Sequence, residues 1–254
     1  MTRWWVVTDL DGTLLDHHYD WQPAAPCLRA LKRRGVPVIP CTSKTAAEVR
    51  AFRRAAELNG PYIVENGGAV YGAGEPLVLG RPSDQLAQQL DALAQELSVP
   101  LRSLNACTLP EVQALTGLAG EAARLALARQ WSLPFLPPAA EHWRALQAAA
   151  EQRGLAVVQG NRLAHLLARG CDKGQALAAL RRRCAPPGLR VLALGDSPND
   201  LPLLQAADVA VVVPGANGPH PELQAGVSSS RWQLAPAPHA PGWAAAVAAV
   251  LGLS

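Results

Sequence analysis

Apolar positions along the chain fall into two kinds of run. Short unbroken ones, Trp4 to Val7 in "RWWVVTD" and those in "VPVIPCTS" and "PYIVENGG", read as buried strands. Between them, "APCLRALKRRG" and "TAAEVRAFRRAAELNG" space their apolar residues near 3.6 and read as helices. Gly35 and Gly60 follow these helical runs, where a helix end calls for a left-handed residue. Strand then helix, repeated, predicts a parallel sheet with covering helices.

The rhythm breaks at "LGRPSD", Leu79 to Asp84, a linker by its Gly and Pro. Beyond it the pattern predicts a helix led by Ser83 with Leu86, Leu90, Leu93 and Leu97 on one face, then a short strand near Leu101 to Leu104. Helices follow around Pro110 to Leu115, Glu121 to Arg129 and Ala139 to Arg153, and then two strand-like runs, "LAVVQG" and "NRLAHLLA". Gly160-Asn161 in "QGNR" is expected to form a two-residue hairpin loop. After Ala168-Arg169-Gly170 the first rhythm returns with helix "DKGQALAALRRRC", strand "LRVLALGD", helix "DLPLLQAA" and strand "DVAVVVPG". A last helix enters at Pro241. The prediction is an α/β fold: a Rossmann-like three-layer core with a parallel sheet over 1–81 and 169–254, plus an inserted α+β domain over 82–168.

Composition narrows the function classes. With 49% hydrophobic and 17% charged residues in 254, the chain is globular and large enough for a core with a second, smaller unit. A net charge of +3 without a dense basic block argues against a nucleic-acid partner. The five cysteines are irregularly spaced and lack a Cys-x-x-Cys pair, so neither a disulfide framework nor a zinc site is expected. No secretory leader is read at the start, and the apolar "WAAAVAAVLGLS" is too short to span a bilayer; a cytoplasmic location without membrane partners is expected. Oligomeric state is left open.

Chemistry enters where acids interrupt the apolar pattern. "TDLDGTLLD" sets three carboxylates directly after a buried strand, where desolvation is costly. Asp9 and Asp11, two apart on extended backbone, can face the same way, and a second strand also ends in acids, at "LALGDSPND". If those strands are neighbours, Asp196 and Asp200 join the first pair, and such a cluster is tolerable around a cation. Mg²⁺, a hard ion taking carboxylates, waters and a substrate phosphate, fits best. A calcium loop starting at Asp9 fails because its sixth position is Leu14. The only lysines are Lys32, Lys44 and Lys173, and the latter two fall at the same sheet edge. With the Thr42 hydroxyl and backbone N–H groups near Ser43, they would meet a phosphate, which points to phosphoryl transfer. Asn66 and Gly67 form either a turn or a pocket wall, and His17 and His18 read as a polar loop.

"DLDGT", Thr42 at a strand end, Lys173 before a glycine and "GDSPND", in that order, resemble the haloacid dehalogenase superfamily of phosphotransferases. The insertion between the second and third motifs matches its Cof-like branch, with a C2-type cap. The resemblance implies that Asp9 is a nucleophile forming an aspartyl-phosphate, and that Asp11 is the general acid and then base. It implies Mg²⁺ held by Asp9, the Asp11 carbonyl and Asp196, supported by Asn199 and Asp200, with Thr42 and Lys173 gripping the phosphoryl oxygens. More narrowly, "PCTSKT", "VENGGAVY", "TGL", "EAARLALARQWSLPF" and "DKG" are similar to the mannosyl-3-phosphoglycerate phosphatase family. That implies a phosphorylated glycoside substrate with a carboxylate, for which Lys44, Arg162 and His165 are candidate contacts; for the last two an exposed hairpin face is the alternative. Leu133 stands where that family is expected to carry an acid. A phosphatase for another glycosyl or sugar phosphate, a phosphomutase of the same fold, and a non-catalytic sugar-phosphate sensor stay open as alternatives.

Overall fold

A computed structural model describes residues 3–160 and 162–253. The elements run β1 (Arg3–Thr8), α1 (Ala25–Arg33), β2 (Val38–Pro40), α2 (Ala46–Ala55), β3 (Tyr62–Val64), β4 (Ala69–Tyr71), β5 (Leu77–Val78) and α3 (Ser83–Leu97). Next come α4 (Leu109–Thr116), α5 (Gly120–Leu127), β6 (Leu133–Phe135), α6 (Ala140–Gln152), β7 (Leu155–Gln159) and β8 (Ala164–Ala168). The chain closes with α7 (Lys173–Cys184), β9 (Leu189–Gly195), α8 (Leu201–Ala206), β10 (Val209–Val212), α9 (Pro221–Ser228), β11 (Gln233–Leu234) and α10 (His239–Leu251).

The central sheet is parallel, in the order β11-β10-β9-β1-β2. Its strands are apolar on both faces, as helix-covered parallel strands must be. Along β1, Val6 enters one core with Leu28, Leu31 and Trp243, while Trp5 and Val7 enter the other with Leu177, Leu180 and Leu203. The chain passes from β1 to β2 on one side and returns through β9 on the other. That reversal opens a crevice at the carboxyl ends of β1 and β9, where this architecture binds ligands.

A separate antiparallel sheet, β6-β8-β7, is backed by α3 and α6 over a third apolar cluster that includes Leu86, Leu90, Leu133, Phe135, Leu146 and Leu166. Leu133 is fully buried there, opposite Leu166, so this chain spends the position on packing and not on the cavity. The strand expected near Leu101 to Leu104 does not form. Leu104–Ala106 is a 3-10 turn, and only an isolated bridge, Ser103 to Phe135, reaches the sheet. The segment instead lies beside β6, a three-residue edge strand with a central proline. The expected Gly160-Asn161 loop lies partly outside the described residues. The Gly160 N–H donates to the Leu163 carbonyl at 2.9 Å, so Gly160 itself pairs across the hairpin. Among the described residues, no helix is long and apolar enough to cross a membrane.

Candidate active site

Both acidic strand ends arrive at one point. Gly12 turns the chain after Asp11 with φ +84°, and a Cβ there would sit 2.5 Å from Asp196 Oδ2, so only glycine lets the β9 acid approach this closely. Thr13 Oγ1 donates to Asp196 Oδ1 at 2.7 Å and ties the two loops together. One carboxylate oxygen from each of Asp9, Asp196 and Asp200 lies within 4.8 Å of the other two.

Lys173 enters this cluster from the first turn of α7, fully buried, with Nζ 2.7 Å from Asp9 Oδ1 and 2.6 Å from Asp200 Oδ1. Steric wedging fixes its entry. A Cβ on Gly67 would lie 2.2 Å from the Asp172 carbonyl oxygen, and one on Gly174 would lie 2.4 Å from that of Pro202. Gly67 therefore serves the approach of α7 and is not at the cavity wall. Asp200 uses its other oxygen to accept the N–H groups of Asp196 (3.0 Å) and Ser197 (3.1 Å), which makes it a brace for the loop. Below Asp9, Trp243 Nε1 donates to Thr8 Oγ1 at 2.9 Å, and that hydroxyl donates to the Asp9 carbonyl at 2.7 Å.

Three clustered carboxylates face one ammonium. Burial pushes the Asp9 carboxyl up to about 7 despite Lys173, with Asp200 and Asp11 adding to the rise. Burial and the charges of Asp9 and Asp200 likewise hold Asp196 well above the carboxylate range. Lys173 loses to burial but gains more from Asp200 and Asp9, so its charge is retained. The negative surplus and the all-oxygen donor set fit a hard divalent cation such as Mg²⁺.

Around this cluster opens a cavity of about 360 Å³, lined by Asp9, Asp11, Asp196 and Asn199 from the ends of the central strands and by Arg129, Arg162 and His165 from the segment between α3 and α7. Ser43 and Lys44 also line it. Lys44 Nζ sits 3.0 Å from Asp11 Oδ1 and 3.5 Å from Glu48 Oε1, and those two charges outweigh its burial and keep it protonated. A capping box at α2 holds its loop: Glu48 N donates to Thr45 Oγ1 at 3.1 Å, and Thr45 N donates to Glu48 Oε2 at 2.8 Å. Thr42 is fully buried behind the wall, its Oγ1 accepting from Lys44 N at 3.3 Å. Asn66 is also behind the wall. Its Oδ1 accepts from Asn199 Nδ2 at 3.0 Å, while its Nδ2 is buried without a partner.

His165 projects from β8 on the face opposite Ala164 and Leu166, into the cavity. Burial, reinforced by the charges of Arg129 and Lys173, pushes its imidazole down to about 3, so it is neutral. Arg162 donates through Nη1 to the Thr116 carbonyl from an exposed position. Sequence reasoning missed Arg129, which reads as an ordinary helix-end arginine, and Tyr19, whose ring lies 4.7 Å from Lys44 Nζ. It also dismissed His17, which lines the cavity edge-on to His239 with ring centroids 4.9 Å apart.

Comparison with known proteins places this geometry. Residues 2–248 match the family model described as sucrose-6F-phosphate phosphohydrolase. A glucosyl-3-phosphoglycerate/mannosyl-3-phosphoglycerate phosphatase from Persephonella marina is 30% identical over 231 residues, covering 84% of this chain and 85% of the relative. Among solved structures, a Thermoplasma acidophilum protein superposes with a TM-score of 0.72 at 21% identity over all of both chains. A haloacid dehalogenase-like hydrolase from Bacillus subtilis gives 0.73 at 17% identity, covering 98% of this chain and 99% of its own. These two show the fold alone.

Proposed function

Because the chain belongs to the sucrose-6F-phosphate phosphohydrolase family of haloacid dehalogenase-like sugar phosphatases, we propose that it hydrolyses mannosyl-3-phosphoglycerate, or its glucosyl counterpart, to the free glycosylglycerate and phosphate. The observation that supports the substrate is the cavity itself: phosphoryl-transfer acids on one wall, cations and a neutral imidazole on the other. A phosphate ester that also carries a carboxylate and a sugar calls for all three.

In this reading Asp9 attacks phosphorus and becomes an aspartyl-phosphate. Its ion pair with Lys173 aims the attacking carboxylate and offsets part of the rise that burial imposes on it. Asp11 protonates the leaving glycerate oxygen and then takes a proton from the hydrolytic water. Lys44, 3.0 Å from Asp11, restrains that carboxylate and adds positive charge beside the phosphate. Asp9, Asp196 and the Asp11 carbonyl would hold Mg²⁺, braced by Asp200 and Asn199; when bound, the ion neutralises charge developing on the transferred phosphoryl group. Ser43 and its loop N–H groups face the remaining phosphoryl oxygens, with Thr42 fixing the loop from behind. Residues 82–168 act as the cap that closes the cavity, with His165 and Arg162 facing the organic part of the substrate. A cytoplasmic location goes with this reading.

Purified protein with Mg²⁺ is expected to release phosphate from mannosyl-3-phosphoglycerate well ahead of sucrose 6-phosphate. The family model supports the second ester as the alternative substrate. Faster release from the sucrose ester, or transfer of the phosphoryl group to a second sugar with little free phosphate, overturns the proposal.

A further inference from the structure

Each cation at the cavity can be checked for its counter-charge. Lys173 has Asp9 and Asp200, and Lys44 has Asp11 and Glu48. Arg129 has none among the described residues. Its Nε donates to the Ala126 carbonyl at 3.2 Å, and its Nη1 donates to the Ser43 carbonyl and, at 3.4 Å, to Ser132 Oγ. All three acceptors are neutral, and the Nη2 edge has no protein partner among those residues. The guanidinium is half-buried, lines the cavity, and is anchored on Ser43, one residue from Lys44. Arg162, the other cavity arginine, is exposed at the turn after β7 and farther from that anchor in the chain.

The position of Arg129 is set from the core by a group outside the cavity. Glu65 is fully buried after β3, in the left-handed region at φ 52°, and its N–H donates to the Lys44 carbonyl at 2.9 Å. Among the described residues its carboxylate has no cation within pairing distance. Instead Oε1 accepts from Gln130 N at 3.0 Å, and Oε2 accepts from Trp131 N at 3.0 Å and Ser132 Oγ at 2.7 Å. One buried carboxylate thus grips the three residues directly after Arg129. The bond from Arg129 to Ser43 closes the same ring from the other side. A buried acid that forgoes a cation for three neutral donors is costly unless the geometry it enforces is used.

We infer that Arg129 is a specificity-determining residue whose free guanidinium edge takes the carboxylate of the substrate's 3-phosphoglycerate moiety, and that Glu65 is a positioning residue acting through Gln130 to Ser132. A planar guanidinium matches a carboxylate with two parallel hydrogen bonds, which an ammonium cannot supply. The inference rests on the substrate class proposed above, yet it concerns the phosphoglycerate half alone and needs no sugar.

The test uses the Mg²⁺-loaded protein and p-nitrophenyl phosphate as reporter, with 3-phosphoglycerate and glycerol 3-phosphate as competing ligands that differ by the carboxylate. The readout is the ratio of the two inhibition constants within each variant, so a general loss of activity cancels. Wild type is expected to prefer 3-phosphoglycerate by about tenfold or more, the worth of one charge-assisted pair. Arg129→Met should bring the ratio near one. Glu65→Gln should lower it several-fold, and the double variant should match Arg129→Met, because both changes act through one guanidinium. If Glu65→Gln fails to fold, Ser132→Ala removes one of the three donors and should lower the ratio by a smaller factor. Calorimetric titration of the same two ligands replaces inhibition if the reporter ester is not turned over. Absence of preference in wild type, a preference that survives Arg129→Met, or additive losses in the double variant would overturn the inference. A retained preference alongside no turnover of the mannosyl or glucosyl ester overturns the proposed substrate while leaving this inference standing.

Discussion

The two walls of the cavity follow opposite rules. At the sheet edge every lysine is matched: Lys173 bridges Asp9 and Asp200, Lys44 bridges Asp11 and Glu48, and both oxygens of Asp200 are occupied. Across from it, among the described residues, Arg129 and Arg162 bond only to neutral oxygens and His165 Nδ1 is buried without a partner. The first wall matches its lysines and braces Asp200 within itself, leaving a surplus of negative charge and the buried Asn66 Nδ2 behind it, so most of its geometry is held before anything binds. The second is left incomplete, and its missing partners describe the ligand.

The contrast can be attacked from either side. Asp9→Asn should cut phosphate release by at least ~10⁴-fold, as loss of a nucleophile does, while leaving ligand binding measurable by calorimetry; turnover near wild type would remove the chemistry from this wall. Asp200→Asn should raise the Mg²⁺ concentration needed for half-maximal activity by roughly 10- to 100-fold, since a bracing group is lost and not the nucleophile. A magnesium titration of initial rates checks it. On the opposite wall, Arg162→Ala should weaken substrate binding by no more than about fivefold, in keeping with an exposed charge, read as a change in KM.

His165 gives a test of stability. Its folded pKa of about 3 lies below the unfolded value, so the unfolded chain takes up the proton first. That contribution to stability is complete above about pH 6.5 and is lost as pH falls toward 3, at about 1 kcal/mol per pH unit. Denaturant melts at pH 6.5 and 5 should show a shallower loss for His165→Gln than for wild type; equal slopes would mean that the imidazole is not buried neutral.

The first wall was far more legible in the sequence than the second. Asp9 and Asp196 stand out because acids end strands that are otherwise apolar, and a scarce lysine at a helix start invites attention. Glu65 carried the same signal, an acid directly after the buried "YIV", but the neighbouring "NGG" reads as a turn and absorbs it. Arg129 is invisible for a different reason: a basic residue just past a helix offsets the helix dipole, so nothing marks it as unpaired. The parallel core followed from its repeating pattern, whereas β6, at "LPF", is too short and too proline-bearing to be recognised without Leu166 and His165 beside it. Leu101 to Leu104 carries no β-branched or aromatic residue and reaches the sheet only through the bridge from Ser103 to Phe135.

Gly67 and Gly174, which clamp the first turn of α7, bear on how the two walls communicate. The chain leaves β8 at Ala168 and reaches Lys173 within five residues, so any tilt of the upper unit would otherwise be levered straight onto the ammonium. With backbone pressed against backbone on both sides, the clamp acts as a mechanical fuse. Strain carried along the β8–α7 connection meets these glycines before it reaches Lys173, so that route bears less on the reactive pair than the ties through Arg129 and Glu65.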